Sequence, residues 1–174
     1  MSYFIVIHGT LGSGKSTISN ELAIKLNADR VQIDYVLSEH KLDLHEDNEA
    51  SIPAANFIKG LDFVLSDVRE KLDHEKIVIF DGCFYHKEVM DYLLKNLPYP
   101  YFLFTLKAPL EICIERDKNR SVTLGEDAAR AVYSLTSGLD FGEIIDTVKP
   151  LEESINKILE IIENNKNFPQ KMTL

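Results

Sequence analysis

The chain has 174 residues and a formal net charge of −9, with 45% apolar and 27% charged residues, a balance typical of globular proteins. That length favours one domain, residues 1–174, burying roughly two-thirds of its unfolded surface. The acidic balance excludes a general binder of nucleic acid or membrane surfaces, because both are polyanionic.

Two cysteines, Cys83 and Cys113, are too few for a disulfide framework and lack the clustering of a zinc site. The apolar run Tyr3–Ile7 is too short for a signal peptide core. No stretch approaches the roughly 18 apolar residues of a membrane helix. A cytoplasmic location and a monomer or homodimer are expected.

Short apolar runs alternate with longer helical patterns, which predicts an α/β domain. Tyr3–His8 reads as a strand covered on both faces. Glycines at 9, 12 and 14 interrupt regular structure, and Ile18, Leu22 and Leu26 then mark a helix from Lys15 to Leu26. Val31–Ile33 reads as a brief second strand ending at Asp34, followed by a helix over 35–40. The acidic stretch Asp43–Ser51 reads as a loop. Pro53 opens a helix with its apolar stripe on Phe57, Leu61, Val64, Val68 and Leu72. Ile77–Phe80 is a third strand, terminated by Asp81 and Gly82, and Lys87–Asn96 a further helix. Tyr101–Leu106 is a fourth strand, and Pro109 opens a helix reaching Lys118. Residues 119–140 are polar, with one helix near 126–135. Ile144–Ile145 suggests a fifth strand. Pro150 begins a last helix with Leu151, Ile155, Ile158 and Ile162 on one face, and the tail from Asn164 reads as frayed.

The specific signal is Gly9-Thr10-Leu11-Gly12-Ser13-Gly14-Lys15-Ser16, which matches G-x-x-x-x-G-K-[ST] at every fixed position, between a strand and a helix. Its glycines allow successive N–H groups to turn inward around a phosphate, and the following helix adds the positive end of its dipole. Lys15 would reach the β- and γ-phosphates, and the Ser16 hydroxyl would bind Mg²⁺. Gly9, Thr10, Gly12, Ser13, Gly14, Lys15, Ser16 and Thr17 are therefore the candidate nucleotide-binding residues, with ATP and Mg²⁺ as the cofactors.

On this loop and the order of its elements, the chain resembles the P-loop kinases of the nucleoside-monophosphate-kinase type. That group includes shikimate and gluconate kinases, chloramphenicol phosphotransferase and zeta-toxin-like kinases. The resemblance implies a three-layer P-loop NTPase fold, with a five-stranded parallel sheet in order 2-3-1-4-5 and a lid around 117–140.

It also assigns roles. Asp34 would orient or deprotonate the acceptor hydroxyl, the other reading being a cap of the next helix. Asp81 would hold Mg²⁺ through water or contact the acceptor, unless it only forms an Asp-Gly turn. Arg116 would pack on adenine and Arg120 would reach the transferring phosphate, guanidinium being planar and forked. Against this, Glu115 and Asp117 could make the segment a salt-bridged helix end. Arg130 is a weaker lid candidate. Tyr35, Phe84, Tyr85 and His86 are candidates for the acceptor pocket or for plain packing, and His8 reads as a strand residue.

Arginines that bind an acceptor monophosphate in such kinases are missing from Asp34–His40 and from Asp81–His86. This argues against a monophosphate or carboxylate acceptor. A GTPase is unsupported, since no Asn-Lys-x-Asp element follows the late strands. The expected activity is an ATP-dependent kinase with Lys15, Asp34 and Arg120 as its catalytic residues, Arg116 on the nucleotide, and Ser16 and Asp81 at the metal. It would act on a neutral or cationic small-molecule hydroxyl, with nucleic acid and membrane not expected as partners. A nucleoside or polynucleotide 5′-hydroxyl kinase and a non-catalytic nucleotide-binding module are the alternatives.

Overall fold

A computed structural model describes residues 2–44 and 51–165; most of the expected acidic loop and the tail beyond 165 lie outside the described residues. The elements run β1 (Tyr3–Gly9), α1 (Lys15–Leu26), β2 (Asp29–Gln32), α2 (Ile33–Glu39), α3 (Ala54–Asp73) and β3 (Ile77–Gly82). Then follow α4 (Lys87–Asn96), β4 (Tyr101–Lys107), α5 (Leu110–Lys118), α6 (Glu126–Thr136), β5 (Glu143–Asp146) and α7 (Leu151–Asn165).

The five strands form one parallel sheet in the order β2-β3-β1-β4-β5. All seven residues of β1 are buried, as a central strand covered on both faces requires. Alternation along β1 divides the core. Phe4 and Val6 pack with Leu37 of α2, Phe57 and Leu61 of α3, and Leu93 of α4. Ile5 and Ile7 pack on the other face with Ile18 and Leu22 of α1 and Ile155 and Ile158 of α7. The sheet therefore carries helices on both sides, and its strand ends at Gly9, Gln32, Gly82, Lys107 and Asp146 feed loops on one edge. In open parallel sheets ligands bind at that edge.

Three local expectations change. The second strand starts at Asp29, two residues after the left-handed Asn27 (φ 51°) that ends α1, and stops at Gln32. Its ladder with β3 ends where Gln32 meets Asp81, so Asp34 lies in the first turn of α2 rather than at a strand end. Conversely, Asp81 and Gly82 remain within β3. On α3, Leu65 faces the core where Val64 was expected, and Val64 packs at the margin; the helix holds its buried face with steps of four, four, three and four from Phe57. Among the described residues, no helix is long and apolar enough to cross a membrane.

Candidate nucleotide-binding site

The loop between β1 and α1 is closed by its own hydrogen bonds. The Thr10 carbonyl accepts from the Ser13 N–H at 3.2 Å, the Ser13 hydroxyl at 2.8 Å and the Lys15 ammonium at 2.8 Å. Two glycines make this path possible. Gly14 caps α1 at φ 94°, and Gly12, at φ 76°, packs so closely that a Cβ there would collide with the Cys113 carbonyl of α5. The first N–H groups of α1 are left without intrahelical partners, as at any helix start, and they open toward the cavity beside the loop.

That cavity has a volume of about 370 Å³ and is lined by residues 11–18, Asp34, Arg116, Arg120 and the segment after β5. Asp34 reaches it from α2 and Lys15 from α1. Burial pushes the Asp34 carboxyl above its ordinary value, against the pull of Lys15 and of the Cys83 N–H. Burial also works against the Lys15 ammonium, but the Cys83 sulfur and the carboxylates Asp34 and Asp81 outweigh it and hold the pKa up. Cys83 itself is pushed up to about 11 by burial, despite Lys15. At neutral pH this corner therefore holds a lysine cation beside a protonated thiol, an arrangement made by desolvation and charge together.

Asp81 is placed differently. It is buried, and its Oδ2 accepts from the Ser19 hydroxyl at 2.6 Å and from Arg30 at 2.9 Å. It does not line the cavity. Ser19 and Arg30 were not singled out from sequence. Ser19 falls three residues after Ser16, one helical turn on, which is a readable clue; Arg30 carries no local signal, because only the pairing of β2 with β3 brings it to Asp81.

Arg116 of α5 and Arg120, which follows two residues after the helix ends at Lys118, both line the cavity, so the single helical face expected from their spacing of four does not extend to Arg120. Arg116 donates to the Thr147 hydroxyl at 3.3 Å and to the Thr147 carbonyl. The same hydroxyl donates to the Ser13 carbonyl at 2.9 Å, which ties the segment after β5 to the phosphate loop. Arg120 is half exposed, with Nη1 3.7 Å from Asp117 Oδ1. Arg130 points elsewhere, donating twice to Glu126 on the surface of α6.

The aromatic candidates disperse. Phe84 is fully buried in the core and Tyr35 is largely exposed. Tyr85 packs edge-on against Phe57, and His86 bonds the Ile52 carbonyl through Nε2 at 2.8 Å. His8 is a buried strand residue, as expected, and its Nε2–H donates to the Leu139 carbonyl at 3.1 Å.

A parallel sheet in this order, with a glycine-rich loop joining its central strand to a helix, defines the P-loop NTPase fold. Residues 5–132 match the AAA_18 family (AAA domain), and the chain belongs to that family. No curated protein matches the sequence. The fold is similar to that of an unliganded sugar kinase from Janibacter sp. HTCC2649, with a TM-score of 0.78 at 17% identity, covering 94% of this chain and 95% of that one. A gluconokinase from Sinorhizobium meliloti 1021 matches with a TM-score of 0.65 at 15% identity, over 95% and 97% of the two chains. A thymidylate kinase from Candida albicans matches with a TM-score of 0.67 at 20% identity, over 94% and 92%.

Proposed function

We propose that the protein is an ATP-dependent phosphotransferase that moves the γ-phosphate to a hydroxyl of a small molecule. The observation that carries this reading is the convergence of Lys15, Asp34 and Arg120 on one cavity beside the phosphate loop. Three requirements of phosphoryl transfer are represented there: a cradle for the phosphates, a carboxylate for the attacking hydroxyl, and a half-exposed cation for the developing charge. Similarity in fold to a sugar kinase and a gluconokinase supports transfer to a hydroxyl.

In this reading Gly9–Thr17 hold the phosphates, Arg116 lies on the base and Arg120 closes from a lid over 117–140. Asp34 orients the acceptor hydroxyl and takes its proton. The raised carboxyl of Asp34 suits that task, because a base must hold the proton briefly. The donor set fits Mg²⁺ only at Ser16, which lines the cavity; Asp81 is held by Ser19 and the Arg30 cation and does not line it, so it would not reach an ion at Ser16 in this arrangement. The ion would supply charge neutralisation across the β- and γ-phosphates.

The arginines argue for the acceptor class. Arg30 is bound to Asp81, Arg69 to the Asn96 carbonyl, Arg116 to Thr147 and Arg130 to Glu126. The fifth, Arg120, lines the cavity and is given in this reading to the transferring phosphate, so none is assigned to an acceptor phosphate, and a neutral or cationic hydroxyl compound such as a sugar, an aminoglycoside or a nucleoside fits best.

The test is ADP formation from ATP and Mg²⁺ with and without a panel of such compounds. Acceptor-dependent ADP release that Lys15→Ala abolishes is expected. Full activity of Lys15→Ala, or nucleotide binding with no transfer to any acceptor or to water, would overturn the reading.

A further inference from the structure

We propose that Asp117 is the positioning residue of the lid: it fixes the turn over 123–125 and holds Arg120 on the cavity rim, and it acts on phosphoryl transfer through Arg120. This inference rests on the kinase reading above and extends it to a residue outside the phosphate loop and the cavity wall.

Asp117 sits in the last turn of α5, between Arg116 and Arg120, and is only 1% exposed. Its Oδ2 gathers three donors from the far side of the loop: the Thr123 hydroxyl at 2.7 Å and the N–H groups of Leu124 and Gly125, each at 3.1 Å. Those donors lie just before α6, so one carboxylate oxygen joins the end of α5 to the start of α6. Its Oδ1 is buried and has no hydrogen-bond partner; the charge facing it is Arg120. The separation of 3.7 Å is too long for a hydrogen bond, so the attraction confines Arg120 without consuming its N–H groups. Burial alone would push the Asp117 carboxyl up, but Thr123, Gly125, Leu124 and Arg120 together hold it below its ordinary value. The anion is therefore the form present near neutral pH.

The geometry separates two tasks along α5. Arg116 is anchored to Thr147, on the side of the segment after β5, and takes no part in the Asp117 cluster. Loss of the Asp117 charge should leave nucleotide binding nearly intact while Arg120 loses its tether. A plain cap for α6 makes the opposite forecast: stability falls, and any loss of rate is independent of Arg120.

A double-mutant cycle on the full chain separates these outcomes. The readouts are ADP release with Mg²⁺–ATP and the affinity for a fluorescent ATP analogue. Asp117→Asn keeps the shape and removes the charge. Arg120→Ala and Asp117→Asn are each expected to lower the rate by about tenfold or more, with analogue affinity within about threefold of wild type. The double variant is expected to match Arg120→Ala alone. Multiplying losses in the double variant, or an unchanged rate in Asp117→Asn beside an impaired Arg120→Ala, would overturn the role given to Asp117 and leave the kinase reading standing. An Arg120→Ala variant as active as wild type would instead remove Arg120 from the kinase reading. Should Asp117→Asn fail to fold, Thr123→Val removes one of the three Oδ2 bonds and leaves the backbone pair. A smaller fall in rate at unchanged affinity supports the inference, and an equal fall in both sinks it.

Discussion

Arg30 donates to Asp81 Oδ2 at 2.9 Å, on the same oxygen that accepts the Ser19 hydroxyl at 2.6 Å. Three elements meet at this atom: β2 brings the cation, β3 the carboxylate and α1 the hydroxyl. The cluster fixes the first turns of α1 against the sheet, and so the direction in which Lys15 and Ser16 leave the phosphate loop.

Removing one partner of such a pair strands a buried charge. A full loss of this kind costs about 3–5 kcal/mol, and the Arg30 side chain is 20% exposed, so Arg30→Ala is expected at or just below the bottom of that range, about 2–3 kcal/mol. Urea unfolding measures it. A change under about 0.5 kcal/mol, the level of an ordinary surface substitution, would show that the pair adds nothing.

His8 ties stability to pH. Its pKa is lowered from 6.5 to about 4, chiefly by burial and then by Lys15. Between those values the unfolded chain binds a proton that the folded chain refuses, so stability falls as pH drops through that window. The full difference is worth about 3 kcal/mol. His8→Gln, which keeps a donor for the Leu139 carbonyl, should remove this dependence. Unfolding free energies at pH 4.5 and 7 are the measurement; wild type should lose roughly 2–3 kcal/mol more than the variant. Equal losses in both proteins would be evidence against the linkage.

Gly12 has no room for a methyl group, and its φ of 76° disfavours any other residue. Gly12→Ala forces either the loop or the Cys113 carbonyl to move. The left-handed backbone alone costs about 1–2 kcal/mol, and the collision adds to it. Unfolding free energy and binding of an ATP analogue should both fall, whereas a variant that binds and unfolds like wild type would mean the loop and α5 separate freely.

Asp34→Asn tests the acceptor side. The amide preserves the shape beside Lys15 and the Cys83 N–H but cannot take a proton. Transfer to a hydroxyl acceptor should drop by about 10²–10⁴, with affinity for the ATP analogue nearly unchanged. Loss of nucleotide affinity in step with the rate would assign Asp34 to the phosphates instead.

The loop from Gly9 to Ser16 was legible at once, because the chemistry of wrapping a phosphate dictates glycine and lysine at fixed spacing. The α/β alternation was legible through periodicity, and α1 and α4 have the bounds expected of them. The start of α2 was not. Ile33 is apolar and β-branched and reads as strand, but the ladder with β3 has already ended at Gln32, and Asp34 turns into the cavity on a helix.

What the sequence by itself determined is therefore the local chemistry: the phosphate loop, the strand and helix alternation, and the pair of arginines four apart around the end of one helix. These depend on residues close in the chain. The tertiary structure decided how the charges are spent. Arg30 meets Asp81 across 51 positions and Arg116 meets Thr147 across 31, pairings set by strand order and crossover. Asp81 is thereby drawn into a structural cluster, Asp34 is left facing the cavity, and Arg120 is left on a loose tether. The net charge of −9 is no obstacle to the proposed phosphate site for the same reason: few cations are needed where backbone amides and one buried lysine converge on a single loop.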